Sequence, residues 1–399
     1  MDISIESILS EIGIDYRLVG NIKKTFRSVA TLQQGKEDDL CYCSFDGEEA
    51  VSIISKSNAG IILCKNSLKE FLDQYYQEEK KNNALVKQQI ILVDNPRAAF
   101  IKIINKIYPK RVETRTSSTA IISESATIGS NCYIGNYAVI GKNCKIGNNT
   151  VIFDRAVMVQ KCKIGDNCII EPGVTIGADG FAYERDPETL ELERFPHIGG
   201  VVIVNNVEIC ANSSIARGSL SDTVIGDGTK LDALVHVAHN VVIGRNCELT
   251  AGTIIGGSTT IGDTCWTGLN STLKNKIKIG NKVIVGAGAC VIHDVPDEDI
   301  VAGVPAKSIK DKVTSDKLFL MAGQNIPVES KRQYSQQNVE ILQKPFTAEV
   351  LLDTLEDKEI YSELERLNVD IKTVKAAQFT HSQLLFLLDF LKRRTRNKN

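Results

Sequence analysis

No run of apolar residues in this 399-residue chain approaches the roughly 18 needed to cross a bilayer. A charge of one sign is missing too. Its 47 Lys and Arg face 49 Asp and Glu, and the formal charge of −2 gives no basic field to draw nucleic acid or an anionic membrane surface. The amphipathic, acidic N-terminus lacks the basic-then-apolar order of a secretory signal. Histidine is scarce, at five, and the close pair Cys41 and Cys43 has a poor zinc spacing and no matching pair elsewhere. Eleven cysteines would mean a disulfide framework in a small secreted chain. At this length they fit free thiols in a reducing, cytoplasmic setting, with no metal expected.

What the chain does have is a beat of six. From Ile122 an apolar residue recurs through Ile128, Ile134, Ile140, Ile146, Ile152, Met158, Ile164, Ile170 and Ile176. The beat returns at Ile203, Ile209 and Ile215, and runs again from Ile225 to Val291 with Thr267 among its members. Six matches neither the helical 3.6 nor the strand alternation of two, so the pattern is that of a solenoid. Two residues before the beat stand small side chains: Ala126, Cys132, Ala138, Cys144, Thr150, Cys162, Cys168, Cys247 and Cys265 among them. They suit a corner with little room inside, where a thiol acts as a compact apolar group. Three short strands and three corners make one triangular coil of eighteen residues. Roughly 25 beats then stack into about eight coils of a parallel β-helix, whose stability is a sum over neighbouring coils.

Residues 1–112 lie outside the beat. Ile5, Ile8, Leu9 and Ile12 have helical spacing and stop at Gly13, while AGIILCK and QQIILVD read as buried strands. A helix begins at Pro96, with Asp94 as its cap, and the whole makes a small α/β domain. The polar stretch YPKRVETRTSSTA links it to a solenoid over 113–311. GADGFAYERDPETLELERFPHIGG breaks the beat after Ile176 as a projecting loop, and insertions of that kind often mark the binding face. A shorter irregularity, ARGSLSD, follows Ile215. From 312 to 399 helical spacing returns in TAEVLLDTLEDKEIYSELERL and THSQLLFLLDFLKRR, with Thr380 as an N-cap, and predicts a C-terminal helical domain.

His239 lies two residues past the inward Val237, hence on the outer wall. An imidazole there is either a plain surface group or a general base, since its ordinary pKa is near neutrality. One coil further on, Gly257 of IIGGS lies about 4.8 Å away and offers a backbone amide to a developing oxyanion. Lys276, two rungs on, falls on the same face at roughly 10 Å. A base, an amide donor and a cation in line suit an amine attacking a thioester whose carrier is anionic. Taken alone, Lys276 is a solvated lysine.

The motifs GADGFAY, SLSDTVIGDG, HVAHNVVIG and VDNPRAAF make residues 1–310 similar to the UDP-3-O-acylglucosamine N-acyltransferases of lipid A synthesis, the LpxD family. The resemblance implies a mainly β fold, a homotrimer of left-handed parallel β-helices (hexapeptide repeats) with clefts between subunits. It implies an N-terminal domain that helps hold the nucleotide. His239 would take the proton of the sugar amine or of the tetrahedral intermediate, the Gly257 amide would hold the oxyanion, and Asp232 would orient His239. Tyr42 matches the aromatic that stacks on uracil, whereas Phe45 or Asp46 stands where the family has a base-reading asparagine. Lys276 replaces a second histidine. Stacking tolerates a change of base better than edge hydrogen bonds do.

These departures turn the expectation toward related enzymes that acylate dTDP-4-amino-4,6-dideoxyhexoses from acyl-CoA. AGVPAK at 302–307 resembles the end of CoA-using hexapeptide transferases, where Lys307 would meet a CoA phosphate and Lys276 the same donor. In that group Asp94 rivals His239 as the base, and Tyr42, Asp94, Asn95 and Arg97 would bind the nucleotide sugar. The lipid A substrate with an acyl carrier protein (acyl-ACP) donor is the alternative. Two other classes share the solenoid. A γ-type carbonic anhydrase needs three metal-bound histidines, and His236 and His239 have no third on an evident rung. An inactive scaffold would have no use for His239 beside Gly257.

Overall fold

The computed structural model describes residues 3–81, 87–109 and 113–310. The helical pattern read from residue 312 onward, with Thr380, lies outside the described residues. From Arg115 the chain winds through short strands that pair into three walls of eight, eleven and nine strands, all in parallel but for the antiparallel last strand Lys307–Ser308, a left-handed parallel β-helix. Eighteen residues make a coil: His236 pairs with Ile254 and Ile254 with Thr272. The first strand, Arg115–Thr116, pairs with Tyr133–Ile134 and so lies inside the stretch read as linker. There Arg115 covers the Tyr133 ring, 5.3 Å from its centroid.

Every beat residue from Ile134 to Val291 is buried in one continuous core. Thr267 is the polar member, and its hydroxyl lies 2.9 Å from that of Thr253 in the coil before. A buried hydroxyl is tolerated when it is hydrogen-bonded, and this one is. The small slot before the beat does more than fill space. Its thiols and hydroxyls reach the corner carbonyl of the next coil: Cys132 donates to Gly147 O at 3.0 Å, Thr150 to Gly165 O at 2.8 Å and Cys247 to Gly262 O at 3.1 Å. The expectation of a purely apolar thiol is corrected by these bonds. The corners turn through left-handed backbone, most often at asparagine, which tolerates that region better than other side chains.

The N-terminal domain is a five-stranded sheet in the order Arg17–Val19, Gln89–Val93, Ile61–Lys65, Asp39–Tyr42, Ser28–Val29. All pairs but the first are parallel. Separate apolar clusters cover its two faces. Helix Ile5–Glu11 stops before Gly13, whose φ of 66° is left-handed. Helix Pro96–Ile107 starts at proline as expected, but Asn95 is its cap, accepting the Ala98 N–H at 3.0 Å. Asp94 does not cap it: its carboxylate, one residue too early, accepts from the Asn66 amide at 2.5 Å. No helix among the described residues is long and apolar enough to cross a membrane.

Candidate functional site

The nine-stranded wall carries Ser214–Ala216, His236–Val237, Ile254–Ile255 and Thr272–Leu273 on successive rungs. Where these strands turn the corner, His239, Gly257 and Lys276 line one cleft of about 350 Å³. The three residues that coil arithmetic aligned are therefore brought together.

The corner differs from the one that follows the eight-stranded wall. There the N–H two residues past the beat is mostly taken by an Asn or Asp side chain one coil on. Ser130 donates to Asn148 at 2.9 Å, Arg245 to Asp263 at 2.8 Å and Asp263 to Asn281 at 2.9 Å. In the site's column that position holds His239, then Gly257, then Asn275. Glycine has no side chain to give, and neither the His239 nor the Gly257 N–H meets an acceptor among the described residues. The flanking amides are satisfied: Gly256 N–H on Leu273 O at 2.9 Å and Ser258 N–H on His239 O at 2.9 Å. An interrupted ladder thus leaves open donors beside an imidazole, which is the requirement of an oxyanion site.

The imidazole is fixed by its neighbour. His239 Nδ1 lies 3.0 Å from Asn240 Oδ1. Asn240 Nδ2 donates to the Ser221 carbonyl at 3.2 Å, so its other end must be the oxygen. Ser219 confirms this, since its backbone N–H, which can only donate, meets that oxygen at 3.1 Å. Nδ1 therefore carries the proton and Nε2 is the free base. A Cβ built on Gly257 would sit 2.7 Å from Nε2, so base and open amide are in contact range.

Asp232 has no such role. Its carboxylate takes the Ala233 N–H at 2.7 Å and the Ala251 N–H at 3.1 Å. One beat separates Leu231 from Val237, and one beat is one wall, so Asp232 turns a different corner. Asn240 is the residue that orients the His239 ring.

The long insert arrives at the same place. It forms an antiparallel hairpin, Tyr183–Arg185 with Leu192–Arg194, and its Asp179, Gly180 and Phe181 line the cleft. Asp179 is paired with Arg194 at 3.3 Å. The insert is held at its base by Arg217, a buried guanidinium whose Nε donates to Gly199 O at 2.8 Å, and by Asp222, which accepts the Gly200 N–H at 2.7 Å. It delivers His197, whose ring centroid lies 5.5 Å from that of His239 at 77°. Rung arithmetic missed His197 because it stands off the beat; the available signal was its place just before the paired glycines that end the insert. His236 faces the same cleft, and the withdrawal of water around it holds its imidazole below the usual value.

Tyr42, Asp94, Asn95 and Arg97 belong to a second place. Strands Asp39–Tyr42, Ile61–Lys65 and Gln89–Val93 are adjacent and parallel, and the chain leaves their carboxyl ends at Tyr42, Asn66 and Asp94. Ligands of open α/β sheets bind outside such ends. Tyr42 packs on Phe100 with centroids 4.8 Å apart, and Asp46 is held by Lys65 at 2.5 Å. Asn66, not anticipated, presents there a buried Oδ1 without a partner among the described residues. Asp94 lines no part of the His239 cleft within a chain, and neither does Lys307, which is exposed in a hairpin opposite Ala302. Among the described residues the only cluster of three metal-ligand types is Glu171, Glu208 and Cys210, which contains no histidine.

Residues 143–178 and 222–257 match the bacterial transferase hexapeptide model (six repeats), and 120–154 and 258–292 match the hexapeptide repeat of succinyl-transferase. The UDP-3-O-acylglucosamine N-acyltransferase of Methylorubrum populi is 41% identical over 142 residues, 36% of this chain and 40% of the relative. That of Bordetella parapertussis is 42% identical over 135 residues, 33% and 37% of the two chains. The match thus spans about 40% of the length of these curated relatives. Solved structures with a similar course include the UDP-N-acetylglucosamine O-acyltransferase (LpxA) of Moraxella catarrhalis, at TM-score 0.45 and 21% identity over 70% of this chain and 96% of that one. The acyltransferase of Francisella novicida gives TM-score 0.46 and 23% identity over 63% and 79%.

Proposed function

We propose that this LpxD-like hexapeptide-repeat chain transfers an acyl group from a thioester to the amine of a UDP-linked amino sugar. The observation that carries the reading is the free Nε2 of His239 beside the open amide of Gly257. The amine nitrogen attacks the thioester carbon as His239 Nε2 takes its proton. The carbonyl oxygen becomes an oxyanion facing the Gly257 N–H, a donor already in place. Collapse breaks the carbon–sulfur bond, and the thiolate leaves with the proton held on His239. Amide and free thiol are the products.

The relatives are named for a UDP-3-O-acylglucosamine substrate, which supports a UDP sugar over the dTDP sugar expected from the departures at Phe45 or Asp46 and at Lys276. The donor follows the same preference, with acyl-ACP ahead of acyl-CoA, since Lys307, the basis for CoA, stands outside the cleft. Lys276 is then the cation that meets the donor's phosphate. Tyr42, Asn66 and Asp94 form the nucleotide end, and a homotrimer brings that end of one subunit to the cleft of another. The second reading keeps the dTDP sugar with CoA, favoured by Phe45 or Asp46 standing where the family has its base-reading asparagine.

Thiol release separates the readings, with acyl-ACP and acyl-CoA each offered against UDP- and dTDP-amino sugars. Turnover is expected with acyl-ACP and the UDP-3-O-acyl sugar, falling about a hundredfold or more in His239→Ala. Silence with every pair would end the transferase reading.

A further inference from the structure

His197 has one nitrogen in use and one without a partner. Its Nδ1 lies 2.9 Å from the Phe195 carbonyl, which can only accept, so Nδ1 carries the hydrogen. Its Nε2 is then a lone pair. The residue is 7% exposed, and Nε2 has no hydrogen-bond partner among the described residues. Buried polar atoms are seldom left so, and one beside a reacting centre calls for a reason. The position of Gly180 shows where Nε2 looks. The point a Gly180 Cβ would occupy is 2.9 Å from His197 Nε2 and 2.8 Å from both Cβ and Cδ2 of His239. The two rings thus share one corner, edge to face, beside Gly180.

We infer that His197 is a positioning residue whose Nε2 lone pair favours the imidazolium form of His239 and holds that ring against Gly257. The imidazole dipole is fixed by the Phe195 carbonyl with its negative end toward His239. When His239 accepts the amine proton its ring becomes positive, and a fixed dipole in a site of low polarity stabilises that charge without having to reorient. A protonated His197 would instead bury an N–H without an acceptor beside a second cation, which is costly. The anchoring of the insert by Arg217 and Asp222 keeps the dipole aimed. The inference rests on His239 being the base of the proposed reaction. Other groups facing His239 are Lys276, Asp179 with its partner Arg194, and His236; Arg217 lies under the base of the insert. None of them is altered by the variants below.

The test is a pH titration of the full chain by nuclear magnetic resonance of labelled histidine rings, in wild type, His197→Gln and His197→Met. Gln and Met are of equal length, but only the amide supplies a strong acceptor. The midpoint of the His239 ring should fall by about half a pH unit in H197M and return most of the way in H197Q. The acid limb of kcat should move with it, with a three- to tenfold loss of kcat in H197M and little change in KM, roughly as a weakened general base requires. Equal midpoints in all three proteins, or equal shifts in Gln and Met, would overturn the inference. Should H197M fail to fold, the wild-type spectrum still decides: a proton on His197 Nε2 at neutral pH would exclude the lone pair. Because the titration needs no substrate, it stands apart from the acyltransferase assay, whose failure would overturn the reaction and leave the ring pairing measured.

Discussion

At the scale of single residues, the site is set by what glycine leaves out. Gly257 has an ordinary backbone angle outside the left-handed region, so alanine can fold there. What alanine brings is a methyl 2.7 Å from His239 Nε2, a distance that real contacts do not allow. The imidazole is a side chain and gives way more easily than the coil, so the base moves and the wall stays. Gly257→Ala is expected to melt within a few degrees of wild type and to lose about 10²-fold or more in kcat, the usual worth of a positioned general base, because alanine keeps the backbone amide. Thermal denaturation beside thiol release reads both; a large fall in melting temperature would mean the glycine serves the fold. His239, Gly257 and Lys276 were legible because eighteen residues always return to the same corner. Asp232 was misassigned because its distance of a single beat changes the wall, and His197 was invisible because an insert obeys no beat.

At the scale of elements, the insert is the part that sequence periodicity could not place. Its composition marked a projecting loop on the binding face, and it does line the cleft. What holds it there is written in the second irregularity, ARGSLSD, whose Arg217 is buried and bonded to the Gly199 carbonyl through two of its nitrogens. The two breaks in the beat are therefore one structure, a loop and its latch. Nothing in the spacing of ARGSLSD says which carbonyl its arginine will meet. Arg217→Met keeps the length of the side chain and removes the bonds. Limited trypsin digestion should then cut the insert at Arg185 or Arg194 several-fold faster than in wild type, as expected when opening costs less. An unchanged cleavage rate would show that the latch lies elsewhere. The N-terminal domain was legible by its two continuous apolar strands and the helix at Pro96. Strand Arg17–Val19 and strand Ser28–Val29 were not, being short edges with mostly exposed or half-exposed side chains.

At the scale of the whole molecule, the same rung repeats its own electrostatics. The core could be read residue by residue from the beat, but the outer columns that cap corner amides could not, because Asn and Asp look like ordinary loop residues until the coils are stacked. Two of these carboxylates, Asp263 and Asp297, are held below their ordinary value of 3.8, chiefly because backbone amides, of Arg245 and Asn281, donate to their charged form. In an unfolded chain those bonds are gone and the carboxyl takes a proton more readily. The folded state therefore gains from the pair at any pH above about 4 and loses that gain as pH falls below it, through the lowered folded values. Asparagine already fills the intervening position at Asn281, accepting the Asp263 N–H at 2.9 Å, so an amide can do the capping without titrating. The double variant Asp263→Asn, Asp297→Asn should accordingly melt near the wild-type temperature at pH 7 and fall less steeply between pH 4 and 2.5. Both groups lie at the surface, so salt should narrow the difference. Thermal melts across that range at two ionic strengths measure it. Parallel acid limbs in the two proteins would mean that the corner carboxylates are only geometric caps, and that the solenoid loses stability in acid through other groups.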